Sequence, residues 1–220
     1  MKPLAELLNK DEPGWELVSE WIKDATNKVV ILPKDEENAK LALYHSQVTT
    51  RSPLGAIIYE TGGIVIDGGW IRILGSGDGK TSRTISDWNI GKSITEFGEQ
   101  APFFLVADDV IGGFFAINGG KFGQDLGQMY YFAPDCLEWE AMDMGYSDFI
   151  WWTLRGDLEQ FYKGLRWKNW REEIESLETD KGMGFFPFLW TEYDSINDLS
   201  RKPIPMHEIW DLQHSFKKEL

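Results

Sequence analysis

The spacing of apolar positions changes twice along the chain, and those changes divide it into three parts. In the first part the spacing is helical. Leu4, Leu7 and Leu8 recur three and four apart behind Pro3, a residue suited to a first helical turn. After the break at Asp11-Glu12-Pro13-Gly14, the set Trp15, Val18, Trp21, Ile22 and Ala25 predicts a second amphipathic helix. Residues 29–32 form a short β-branched run. Asp35 is placed to cap a third helix, with Ala39, Ala42 and Leu43 on one face. Ser52 before Pro53 predicts an N-cap and a first-turn proline for a helix through Tyr59.

The middle of the chain alternates instead. Residues 64–66 and 70–74 read as two strands, joined through Asp67-Gly68-Gly69, where glycine accepts a tight turn. Strands are expected at 103–107, 113–118, 128–132 and 137–141, punctuated by glycines and Pro134. Short links between such strands imply antiparallel pairing, because parallel pairing needs long crossovers. The polar stretch up to Gly98 shows no period.

Helical spacing then returns. Ser147 is expected to cap a helix over 148–155, and Asp157 with Gln160 to open another through Leu165. A further helix is expected over 169–177, a strand over 185–190, and a closing helix over 205–220, with Ile209, Leu212 and Phe216 on one side. Helices, strands, then helices predict an α+β fold with a mainly antiparallel central sheet, a meander flanked by N-terminal and C-terminal helices. The 220 residues suit one domain, with a helical part over 1–50, a sheet-rich core over 51–145, and C-terminal helices and tail over 146–220. Residues 194–205 are the best boundary candidate, or a surface loop.

Charge narrows the partners. Against 22 Lys and Arg stand 36 Asp and Glu, a net charge of −14. Phosphate backbones would be repelled, so no nucleic-acid partner is expected, and anionic lipid is disfavoured too. The same charge would steer a basic protein partner. No run of apolar residues is long enough for a spanning helix, and the start of the chain has no apolar signal core. With Cys136 as its one cysteine, the chain is expected in the cytoplasm. An exposed aromatic patch would also allow a homodimer.

Catalytic patterns are thin. Gly75-Ser76-Gly77-Asp78-Gly79-Lys80-Thr81 resembles a phosphate loop, but the required earlier glycine falls on Leu74, and the residues that follow look little like a helix. His45, His207 and His214 are too scattered to share a metal ion, so no metal or cofactor is expected. Asp108 and Asp109 are expected to point to opposite faces and, at a strand end, to face solvent. The polar residues beside the glycine turns suggest a concave site formed by Trp70, Arg72, Asp109, Asn118 and Tyr130. An enzyme acting on a small polar substrate would recruit Asp109 or Asp67 with Arg51, Arg72 and Tyr130. Against that site stands a plain meander with tight turns; the enzyme is the alternative, and the first functional reading is a non-enzymatic protein-binding module whose acidic surface takes a basic partner.

Four stretches carry a resemblance. They are Gln47-Val48-Thr49-Thr50-Arg51-Ser52-Pro53-Leu54-Gly55-Ala56, residues 61–77, residues 106–120, and Phe185-Phe186-Pro187-Phe188-Leu189-Trp190-Thr191. In these the chain resembles domain-of-unknown-function family 2625, a bacterial family, over nearly its whole length. More distantly, the order of 59–63, 113–118, 128–132 and 147–152 is similar to the SMI1/KNR4 (SUKH) superfamily. That likeness implies an α+β sheet with helices and a binding role, as in bacterial immunity proteins that neutralise toxins. The long N-terminal helices and the tail after Trp167 depart from its compact pattern.

Overall fold

The computed structural model describes residues 1–79 and 83–217. Its helices are α1 (Leu4–Leu7), α2 (Gly14–Lys23), α3 (Glu36–Ser46), α4 (Pro53–Glu60), α5 (Ile85–Asn89), α6 (Tyr146–Arg155), α7 (Leu158–Phe161), α8 (Trp170–Ile174) and α9 (Met206–Lys217). Its strands are β1 (Val29–Leu32), β2 (Gly63–Ile66), β3 (Ile71–Leu74), β4 (Phe103–Asp109), β5 (Phe114–Asn118), β6 (Gln128–Ala133), β7 (Glu138–Gly145), β8 (Lys181–Phe186) and β9 (Ser200–Pro205). The fold is α+β. Strands β1 to β7 form one seven-stranded sheet in sequence order, and β8 pairs with β9 in a second sheet. Every pairing is antiparallel, so the expected meander is present.

Local chemistry explains the elements that the spacing predicts. The Ser52 hydroxyl accepts from Gly55 N, and Pro53 opens α4. Asp35 caps α3 through Glu37 N and Asn38 N. Gly68, at φ 71°, sits in the short 3-10 turn between β2 and β3.

Both faces of the meander are covered. On one face, Phe115 packs on Phe149 and Trp152 of α6. On the other, Phe114 meets Trp88 of α5 and Trp210 of α9. The buried apolar side chains form one connected cluster. Each large side chain fully removed from water contributes about 1.5–3 kcal/mol.

Several expected elements differ. The stretch with no period contains α5, capped by Thr84. Its Asn89 amide donates to Ile85 O and Leu105 O and accepts from Leu105 N, so tertiary bonds hold a helix too short to show a period. Ser147 does not cap α6; Gly145 takes the cap position, and no side chain closes it. The helix after Asp157 stops at Phe161 rather than Leu165, and the one expected over 169–177 shrinks to α8. The strand expected over 185–190 lies earlier, at β8, and stops before Pro187, which has no N–H to give a ladder. The supposed boundary over 194–205 contains β9, paired with β8 along its length. Residues 80–82 of the glycine loop and 218–220 of the expected closing helix lie outside the described residues.

Candidate functional site

Asp108 and Asp109 end β4, and both are fully buried, against the expectation that they face solvent. They do point to opposite faces, and each face supplies partners. Asp108 stands directly across from Arg72 of β3, whose Nε lies 3.0 Å from Asp108 Oδ1. Arg83 binds Asp108 Oδ2 from the same side. Arg72 also donates to the carbonyls of Thr179 (3.2 Å), Lys181 and Asp109 (3.2 Å), tying the 179–181 segment to the sheet. Burial lowers the Arg72 pKa, and the neighbouring Asp108 opposes that.

The Asp109 carboxylate accepts four hydrogen bonds. Oδ1 takes Ile111 N at 3.1 Å and Gly113 N at 2.7 Å. Oδ2 takes the Tyr131 hydroxyl at 2.7 Å and the Tyr162 hydroxyl at 3.0 Å. Gly113 is required here, because a Cβ would collide with the Asp109 carboxylate and the Tyr131 hydroxyl. Burial raises the Asp109 pKa to about 6, partly offset by the Tyr131, Gly113 and Tyr162 hydrogen bonds. Burial likewise pushes the Tyr131 and Tyr162 hydroxyls far above their ordinary value. A general base must reach its substrate's proton. A buried carboxylate ringed by four donors is built to fasten the turn between β4 and β5.

The other expected site residues separate into groups. Asp67 pairs with Arg166 at 2.7 Å, and that guanidinium lies 4.7 Å over the Trp70 ring. Trp70 in turn meets Tyr162, 5.2 Å between centroids. Asp67, Trp70, Arg72 and Asp109 therefore belong to one interior network. Asn118 and Tyr130 lie elsewhere and share Asp125: the Asn118 amide donates to Oδ1 and the Tyr130 hydroxyl to Oδ2, each at 2.8 Å. Asp108 pairs with Phe114 at one end of β5, and Asn118 lies at the other end. At about 3.4 Å per residue, that is roughly 14 Å away. Arg51 is apart from both groups, paired with Glu12 on the surface at 2.7 Å. The seven residues form no common cleft. Among the described residues, no group of three or more His, Cys, Asp or Glu could hold a metal ion. None of the helices there is long and apolar enough to cross a membrane.

An apolar concavity lies beyond them, between the β8–β9 hairpin and α9. It is a trough of about 420 Å³. Gly184 lies in its floor, and the Ile204 and Ile209 side chains pack onto the glycine face of β8. A Cβ on Gly184 would stand 2.7 Å from Ile204 Cδ1, and one on Gly182 2.6 Å from Ile209 Cδ1. Ile209 and Leu212 of α9 form one wall, and Phe188 stacked on Trp190, with centroids 4.5 Å apart, forms another. Ile111 completes the lining, held by the Asp109 carboxylate. Met183 N donates to Val110 O at 2.7 Å, so the hairpin hangs on the turn that Asp109 fastens.

Three polar side chains matter at the trough. Gln213 is 2% exposed, and its Oε1 has no hydrogen-bond partner. Arg201 is held by both oxygens of Glu173, at 2.8 and 2.7 Å. Lys202 is exposed, and no ion pair among the described residues uses it. Sequence reasoning missed this site. Its one visible signal was Gly182 and Gly184 two apart before an aromatic run, the pattern of a strand bare on one face.

The comparisons agree with one another. The family model described as a protein of unknown function, DUF2625, matches residues 4–209. An uncharacterised protein of Escherichia coli (strain K12), YbfG, is 41% identical, covering 99% of this chain and 98% of its own length. An uncharacterised protein of Haemophilus influenzae is 44% identical over 86% of this chain and 83% of its own. No solved structure matches the chain. The stretch at 185–191, quoted for the resemblance, supplies three aromatic residues to the trough's lining, Phe186, Phe188 and Trp190. With a match over nearly its whole length, the chain belongs to the DUF2625 family.

Proposed function

We propose that the chain is a non-enzymatic binding module whose ligand lies in the trough between β8–β9 and α9. One observation carries this reading: a mostly apolar concavity of about 420 Å³ is lined by Gln213, whose amide oxygen has no partner in the protein. Small-molecule sites combine the same features, within roughly 300–1,000 Å³. The enzyme reading has weaker support, since the carboxylates, arginines and tyrosine nominated for it are divided between separate places. A basic protein partner, as the net charge of −14 favours, would use a different face, because the charged residues of the trough are Arg201 and Lys202. The SUKH likeness is consistent with a binding role and implies nothing about this trough.

The test is titration with Nile red, a neutral apolar dye, followed by its own fluorescence. Saturable one-to-one uptake is expected. Gly184→Val should reduce it at least tenfold, because the new side chain collides with Ile204 and forces it to shift within the trough, with circular dichroism checking that the variant folds. Phe188→Ala, on the opposite wall, is the second variant if Gly184→Val does not fold. Absence of uptake by the unaltered protein, or undiminished uptake by both folded variants, would refute the trough as a site.

A further inference from the structure

We infer that the trough takes a small aromatic carboxylate carrying one hydrogen-bond donor on its ring system. This rests on the reading that the trough is the binding site, and it adds the chemistry of the occupant.

The anion follows from the distribution of charge. The chain carries 36 acids against 22 bases, yet among the described residues no Asp or Glu lines the trough. Its two charged lining residues are both cations. Glu173 neutralises Arg201, which leaves Lys202 as the free charge at the rim. The net negative charge of the molecule opposes any anion at long range. That field is screened over about 8 Å at physiological ionic strength, so a lysine in contact decides the local preference.

The aromatic body follows from the walls. Phe186, Phe188 and Trp190 offer ring faces and edges, with Phe216 packed behind Phe188 at 5.4 Å. Gly184 carries no side chain of its own, so a flat ring would lie against Ile204, Ile209 and the strand backbone. The donor follows from Gln213. Gln213 lines the trough and its Oε1 has no partner, so a turn of the side chain would present that oxygen to an N–H or O–H on the ligand. The Ser200 hydroxyl already donates its proton to Phe186 O at 3.0 Å, so it has no donor of its own left for the ligand.

The experiment compares three probes by calorimetry on the full chain: indole-3-propionate, with anion and ring donor; tryptamine, with the charge reversed; and 1-naphthaleneacetate, with the anion but no donor. Indole-3-propionate should bind at least tenfold tighter than tryptamine and several-fold tighter than 1-naphthaleneacetate. Lys202→Ala, an exposed change that should leave folding intact, should cut the affinity for both acids about three- to tenfold and spare tryptamine. Gln213→Leu should remove the preference for indole over naphthalene. Uptake of Nile red with equal binding of acid and amine would overturn the anion inference and leave the trough standing. Equal binding of the two acids would overturn the donor. No uptake of any probe, Nile red included, would overturn this inference and the site together.

Discussion

Asp109 and Gln213 are both buried polar side chains, and they flank the same turn, yet they are treated in opposite ways. Asp109 grips the turn from within the sheet through Ile111 N and Gly113 N, and two tyrosines complete its carboxylate. Gln213 presses on the turn from α9, its Nε2 2.8 Å from where a Cβ on Gly112 would be, and its oxygen is left without a donor. A saturated polar group strengthens the fold and has no capacity left for a ligand. An unsaturated one costs the free protein about 1–3 kcal/mol, and a ligand can recover that. Burial or a perturbed pKa alone would have pointed to Asp109. Counting partners, for a side chain that also lines the trough, points to Gln213.

The largest effect should come from the saturated side. Asp108 is the one carboxylate between two guanidiniums, those of Arg72 and Arg83. Asp108→Asn leaves both cations uncompensated in the interior. Breaking a buried pair in this way costs about 3–5 kcal/mol. Denaturant unfolding should show that loss, and a loss below about 1 kcal/mol would mean that the pair is not the tie between sheet and 179–181 segment described above.

Asp109 gives a pH signature of the same contrast. Its pKa rises from an ordinary 3.8 to about 6 on folding. A group raised by folding contributes stability that is complete below its unfolded pKa and lost as pH climbs through its folded pKa. Each pH unit is worth about 1.4 kcal/mol, so the window from about pH 4 to 6 removes roughly 3 kcal/mol. Asp109→Asn stays neutral throughout. Its stability relative to the unaltered protein should therefore move in its favour across that window and level off above it. Parallel stability profiles for the two proteins would show that the carboxylate titrates elsewhere.

The contrast also explains what could be read from the sequence. The meander, the Ser52-Pro53 start and the β2–β3 hairpin depend on neighbours in sequence, so alternation and turn residues reveal them. Trp70 and Arg72 stood out because they border glycine turns, but their partners, Tyr162 and 179–181, lie about a hundred residues away and cannot be seen from spacing. The last part was hardest. β9 contains Pro203 and Pro205, which argue against a strand unless it is an edge, and β9 is an edge strand. Missing β9 meant missing the hairpin, and the trough with it. Gln213 was invisible for a related reason: it follows Leu212 on an amphipathic helix and looks like an ordinary surface residue until α9 is laid against Gly112.

The smallest effect is the most discriminating. Gln213→Leu keeps a side chain of similar size against Gly112 and removes an amide whose oxygen has no partner. If that oxygen only fills space, the change relieves a desolvation cost, and the free protein gains about 1 kcal/mol in denaturant unfolding. The same change made at a satisfied amide, such as Asn89→Leu, would strand Leu105 N and two carbonyls and cost stability. Opposite signs for two buried amides would establish that Gln213 is kept for something other than the fold. A loss of stability in Gln213→Leu would mean that the oxygen is already satisfied in the free protein, and the difference between the two sides of the turn would disappear.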